Sequence, residues 1–352
     1  MTRRTDREVF EELLAKHEPL IRQAFLDAIR DLVDNITLRV VVERLERGDV
    51  AGAINALHLD ADAFGRLERA IADAYNSGGQ ATVGNLPRLI DPSGARVVFR
   101  FGIRNPEAEA WLREHSSTLV TRIVEDQVIG IRTALTEGLS QGQNPRATAL
   151  NIAGRMNRAT GRREGGIIGL TAPQERYVAS ARDELSSSDP DQMRHYLTRG
   201  RRDKRFDKTI LRAIKDGKKL DGETVTRIVS RYSDRLLGLR GEMLARTETM
   251  LALGKAKDDA IRQQIASGKI KAEDVTKIWH SAGDNRVRHT HQVLNGTSVG
   301  IDELFESLSG ATLRFPHDPD GPREEIIGCR CYLEYRVDYF ASVVRRAKAE
   351  AA

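Results

Sequence analysis

The chain has 352 residues, 40% of them hydrophobic and 30% charged, with a net charge of +5. That balance excludes a disordered chain, the length calls for two or three domains rather than one core, and no apolar run of about 18 residues offers a transmembrane helix. The opening MTRRTDREVFEELLAKHEPL is charged throughout, unlike a secretory signal, and two cysteines make no disulfide framework, so synthesis in the cytoplasm is expected.

Val9, Leu13, Leu14, Ile21, Phe25, Ala28, Ile29 and Leu32 recur at three- and four-residue spacing. This predicts an amphipathic helix over 6–33, kinked or split by Pro19. Two shorter helices are expected over 38–47 and 50–57, divided by Gly48-Asp49. Asp60 offers an N-cap for a helix running to Asn76, ahead of Ser77-Gly78-Gly79 and a loop to residue 94. Residues 96–101 (RVVFRF) read as a short strand. Pro106, with Asn105 as N-cap, opens a long helix that ends before Gly142 and Pro145, and another follows over 146–157. Residues 158–170 read as an exposed Arg/Gly-rich loop. Further helices are expected over 174–185, 206–216 and 222–266, the last bent at Gly238 and Gly241. Beyond Ile270 the pattern changes. Ile278–His280 and Cys331–Val337 read as strands, Asp302–Leu308 as a short helix, and Asn295-Gly296 as a tight hairpin turn.

The expected fold is therefore mainly α with a small α+β C-terminal module. Its parts are an N-terminal helical region (1–105), a central helical region (106–268), the α+β module (269–340) and a helical tail (341–352). An aromatic share of 5% suits helices packed with Ala, Leu, Ile and Val.

Charge is unevenly spread. Residues 1–80 carry 11 basic against 15 acidic side chains, whereas residues 194–219 carry 11 against 3. The positive excess thus sits in one short segment. Arg201, Arg202, Lys204, Arg205 and Lys208 are its candidate phosphate contacts, since clustered cations bind double-stranded DNA by releasing counterions. The competing reading is a solvated face or an acidic protein partner.

The densest chemistry lies in 279–331. Both cysteines, Cys329 and Cys331, and four of the eight histidines fall there. On an extended strand, residues i and i+2 project together, so the two thiols share a face. A disulfide across so tight a ring is strained. Thiolates and imidazole suit zinc, with His291 as third ligand and His280, His317 or Asp284 as fourth. The alternative is a pair of reduced thiols packing a small hairpin. Asp284, Arg286, Arg288 and His291 form a polar loop cluster in which Arg–carboxylate pairs can pin irregular backbone. Phe315-Pro316-His317-Asp318-Pro319 reads as a rigid turn. His280, Asp284 and His291 are also the residue types of metal-assisted hydrolysis, the enzymatic alternative.

Trp279-x4-Asp284-x-Arg286-Val287-Arg288-x2-His291-x2-Leu294-Asn295-Gly296 is followed by Phe315-Pro316-x-Asp318-Pro319 and Cys329-Arg330-Cys331. In that order the motifs resemble the phage Mu F-like minor head proteins, the head morphogenesis family. Ala245–Thr249 is a weaker echo, and the helical run from Trp111 also looks like the family's upstream region. Two positions depart: His317 stands where the family has Gly, and Gly328 where it has Asn. The resemblance implies a virion protein of a tailed phage or prophage, without enzymatic activity. It would sit inside the head near the portal, bind portal protein and inner capsid, and act in head assembly or DNA delivery. The same resemblance gives no membrane partner.

Overall fold

The structure, a computed structural model, describes residues 4–90, 94–102 and 106–341. Within them the chain is mainly α, with small antiparallel sheets toward the C-terminus. In chain order the helices are α1 (Asp6–Asp34), α2 (Leu38–Glu46), α3 (Val50–Asn55), α4 (Gly65–Gly84), α5 (Pro106–Ser140) and α6 (Pro145–Ala153). A hairpin of β1 (Arg155–Asn157) and β2 (Arg162–Glu164) follows. Next come α7 (Ala172–Ser186), α8 (Pro190–Leu197), α9 (Asp207–Lys215) and α10 (Gly222–Ala266). The C-terminal elements are β3 (Val275–His280), α11 (His289–Leu294), β4 (Ser298–Gly300), β5 (Phe305–Glu306), β6 (Thr312–Leu313), α12 (Arg323–Ile326) and β7 (Tyr332–Val337).

The chain divides into two compact units. One holds residues 1–22, 68–114 and 243–352; the other holds 23–67 and 115–242. Each has its own core. In the second, Phe25, Ile29, Leu32, Phe64, Ile131, Leu135, Ile152, Leu170 and Leu185 are buried. A cavity of about 180 Å³ in this unit is lined by Gly130, Thr148, Ile152, Glu175 and Arg182, among others. Glu175 is buried beside it, and its Oε1 has no hydrogen-bond partner.

In the first unit, β3 is the central strand of the sheet β4-β3-β7, with Trp279 opposite Leu333 and His280 opposite Tyr332. Trp279, Leu294, Phe305, Leu313, Phe315, Cys329, Cys331 and Leu333 form one apolar cluster. Lys277 is fully buried with them, donating from Nζ to the carbonyls of Glu303 (2.6 Å) and Arg314 (3.2 Å).

Several expectations need correction. Helix α1 is continuous through Pro19. Asp60 makes no side-chain cap and precedes a 3-10 turn, Ala61–Phe64. Helix α4 does not stop before Gly78-Gly79 but runs to Gly84. The glycines there permit close packing rather than ending the helix: a Cβ on Gly79 would lie 2.2 Å from the Phe101 ring. Residues 96–101 keep alternating burial but form no strand, since the backbone pairs only in the single bridge Ile90↔Arg96. Asn105, the expected cap, and residues 342–352 of the expected helical tail lie outside the described residues.

Helix α6 ends at Ala153, and Gly154 (φ +80) turns the chain into β1. The 158–170 stretch is exposed only over 158–162, at the β1–β2 turn, and then goes inside, because Ile167, Ile168 and Leu170 are buried. Gly169 (φ +89) lets the backbone pass where a Cβ would meet Ile29 and Leu237 at 2.8 Å. Helix α8 went unread, although Asp189-Pro190 is a good start signal: the Asp189 carboxylate accepts from the Asp191 N–H. Residues 302–308 form no helix. Phe305 and Glu306 pair with Leu313 and Thr312 around a turn with Gly310 at φ +79. Asn295-Gly296 joins α11 to β4 instead of closing a hairpin, with the Gly296 N–H bonded to the Trp279 carbonyl at 2.8 Å.

Candidate metal centre

His291 lies on the short helix α11, and Cys329 and Cys331 lie in the segment just before β7. All three are buried, and both thiols are free. The expected strand begins one residue later, at Tyr332, yet the thiols still converge. His291 Nδ1 is 3.3 Å from Cys329 Sγ and 3.5 Å from Cys331 Sγ. The Cys331 backbone N–H donates to Cys329 Sγ at 3.3 Å. The thiols behave as a pair: the Cys329 thiol and the His291 ring hold Cys331 toward the thiolate, while hydrogen bonding to Cys331 and burial push Cys329 up.

The far side of the His291 ring is also occupied, with Nε2 2.8 Å from a Glu325 carboxylate oxygen. Glu325 is buried and accepts from Ser309 Oγ (2.6 Å), Thr290 Oγ1 (3.0 Å) and Ser307 Oγ (3.3 Å). Trp279 packs edge-on against His291, with ring centroids 5.2 Å apart. His317 interacts with the Cys329 backbone and, through charge alone, with His291. It is fully buried and its backbone sits at φ +66. Desolvation pushes it down to about 3, so it is a neutral imidazole.

His280 and Asp284, the other ligand candidates, are engaged elsewhere. His280 Nε2 meets Glu334 at 2.8 Å and its ring stacks on Tyr332. Asp284 receives the Arg330 guanidinium as a fork, with one arm at 2.6 Å, plus the Arg286 backbone N–H at 3.0 Å. These bonds hold its carboxyl well below the usual carboxylate range, the Arg330 bond contributing most. His280, Asp284 and His291 therefore have three separate sets of partners.

The remaining motif residues act as clamps. Arg288 donates to the Ile327 carbonyl. Asn295 Oδ1 accepts from the Ser281 N–H at 2.8 Å. Asp318, buried between Pro316 and Pro319, accepts from Arg314 Nε (2.9 Å) and the Arg314 N–H (2.8 Å). Upstream, Arg246 forks onto Glu18 at 2.8–3.2 Å, and Thr247 Oγ1 accepts from the Gly328 N–H at 3.4 Å. Glu325, Arg314 and Lys277 were missed from sequence.

The basic segment splits. Arg202 is half-buried and forks onto Asp207, both arms at 3.0 Å. Arg205 bonds the buried Asp203 at 2.6 Å, and that bond is the main cause holding Asp203 down at about 2. Arg201, Lys204 and Lys208 are exposed.

The family model described as Phage Mu protein F like protein matches residues 129–334. The chain is also similar to minor head protein GP7 of Bacillus phage SPP1, 31% identical over 129 residues, covering 36% of this chain and 40% of that one. It is 35% identical over 102 residues to the uncharacterized protein YqbB of Bacillus subtilis (strain 168), covering 28% of this chain and 31% of that one. The chain thus spans less than half the length of each of these relatives. No solved structure matches it.

Proposed function

Because the chain belongs to the Phage Mu protein F like family, and thus among phage head morphogenesis proteins, we propose that it is a minor head component of the virion. It docks on portal protein and the inner capsid near the portal, and serves head assembly or DNA delivery without catalysing a reaction. One observation carries the structural rather than enzymatic part. The motif side chains are spent on pinning backbone: Arg330 on Asp284, Arg288 on Ile327, Asp318 on Arg314 and Asn295 on Ser281. The hydrolase alternative needs His280, Asp284 and His291 at one reacting atom, and their separate partners speak against it.

Co-expression with the cognate portal protein tests the reading. Stable co-purification and a few copies per particle by mass spectrometry are expected. No association, together with absence from purified particles, would overturn it.

DNA contact is favoured by the exposed trio Arg201, Lys204 and Lys208. Replacing all three with Gln should lower the salt slope of non-specific duplex binding by up to about three, since each phosphate contact contributes about 0.9. Arg202 is left out because Asp207 already holds it. An unchanged slope would make the trio a protein-facing or solvated surface.

A further inference from the structure

We propose that Cys329, Cys331 and His291 bind one zinc ion, which fastens α11 to the segment entering β7. Three donor atoms, one from each residue, lie within 4.8 Å of one another, and all three residues are buried. A tetrahedral zinc with Zn–S of about 2.3 Å and Zn–N of about 2.0–2.1 Å sets sulfur and nitrogen about 3.6 Å apart. The two observed separations, 3.3 and 3.5 Å, fit that spacing.

Four further features point to a ligand rather than to packing. His291 turns Nδ1 to the sulfurs and Nε2 to a carboxylate 2.8 Å away. A carboxylate at that place can orient a metal-bound imidazole and raise its basicity, although the ring N–H is not aligned on it as a hydrogen bond here. Glu325 is in turn fixed by three hydroxyls, so the carboxylate beside His291 has one position. The Cys331 backbone N–H donates to Cys329 Sγ, a bond that would stabilise that sulfur as the thiolate a metal requires. Finally, His317 is buried near the Cys329 backbone, at a left-handed backbone position that costs energy for a non-glycine residue. The donor set of two sulfurs and a ring nitrogen selects zinc over hard, oxygen-seeking cations. On binding, the cysteines enter as thiolates and His291 as neutral imidazole, and the displaced thiol protons pass to solvent.

The full chain, purified without chelator, should carry about one zinc by elemental analysis. After the zinc is stripped, cobalt(II) should give thiolate-to-metal charge-transfer absorption and the strong visible bands of a tetrahedral site. Proton release on zinc addition should accompany protection of both thiols from alkylation. Cys331→Ser should abolish these signals. Because that variant can fail to fold, Glu325→Gln serves as the milder test. It should keep the one-to-one stoichiometry while weakening zinc about 10–100-fold in competition with a chromogenic chelator. Wild-type protein that takes up neither zinc nor cobalt, or a Cys329→Ser/Cys331→Ser double variant that binds zinc as wild type does, would overturn the site. Unchanged affinity in Glu325→Gln would overturn the carboxylate's part in it.

Discussion

Trp279→Ala is expected to destabilise the unit that contains it by about 3–5 kcal/mol, the usual range for removing a fully buried Trp. The indole is the largest fully buried side chain among the described residues. Its ring meets His291 and Phe305 edge-on, each with centroids 5.2 Å apart. Truncation removes both contacts and leaves a cavity bordered by β3, α11 and β5. Those elements cannot close in on it, because Lys277, two residues away, is tied to the carbonyls of Glu303 and Arg314. Trp279→Phe keeps an aromatic edge and should lose a clearly smaller share. Urea denaturation followed by circular dichroism would measure both. A midpoint for Trp279→Ala equal to wild type would mean that this cluster does not hold the unit together.

Glu175→Gln should stabilise the protein increasingly as pH rises from about 5 to 8. Burial pushes the Glu175 carboxyl up to about 8, with Arg240 and Arg176 pulling it back only in part. The folded state therefore holds a proton that the unfolded chain releases near pH 4.3. The stabilising contribution is complete below that value and lost as pH rises through 8. Between the two, wild-type stability falls by about 1.4 kcal/mol per pH unit from this group alone. Glutamine resembles the protonated acid and does not titrate, so the two proteins should match near pH 4.5 and separate by a few kcal/mol near pH 8. Parallel stability curves across that range would show that Glu175 is ionised in the folded protein.

Local patterns were legible where local physics decides the outcome. Apolar spacing marked α1, Gly48-Asp49 divided α2 from α3, Pro106 opened α5, and the changed pattern beyond Ile270 marked the sheet-bearing module. The convergence of His291 with both thiols followed from an i, i+2 pair and a motif histidine, though the thiols lie ahead of β7 rather than in it. What failed depended on partners remote in sequence. Gly78-Gly79 resembles a helix stop until Phe101 is known to press on Gly79. Asp302–Leu308 loses its helix to Thr312-Leu313 and to a buried lysine 26 residues before Glu303. Nothing around Glu325 distinguishes it from its exposed neighbour Glu324 until His291 is placed beside it. In the basic segment, counting charges could not reveal that Arg202 and Arg205 are already neutralised by Asp207 and Asp203.

The division into units bears on how the chain folds as it is made. The unit of 23–67 and 115–242 has all its parts once residue 242 has left the ribosome. The other unit draws on 1–22 and 68–114 but also on everything from 243 onward, including the central strand β3 and its partner β7. Its earliest segments must therefore wait, with the apolar face of α4 uncovered, while roughly two hundred further residues are synthesised between residue 114 and β7, on the order of tens of seconds at ordinary elongation rates. The middle of the chain can be folded before the segments of the other unit have met.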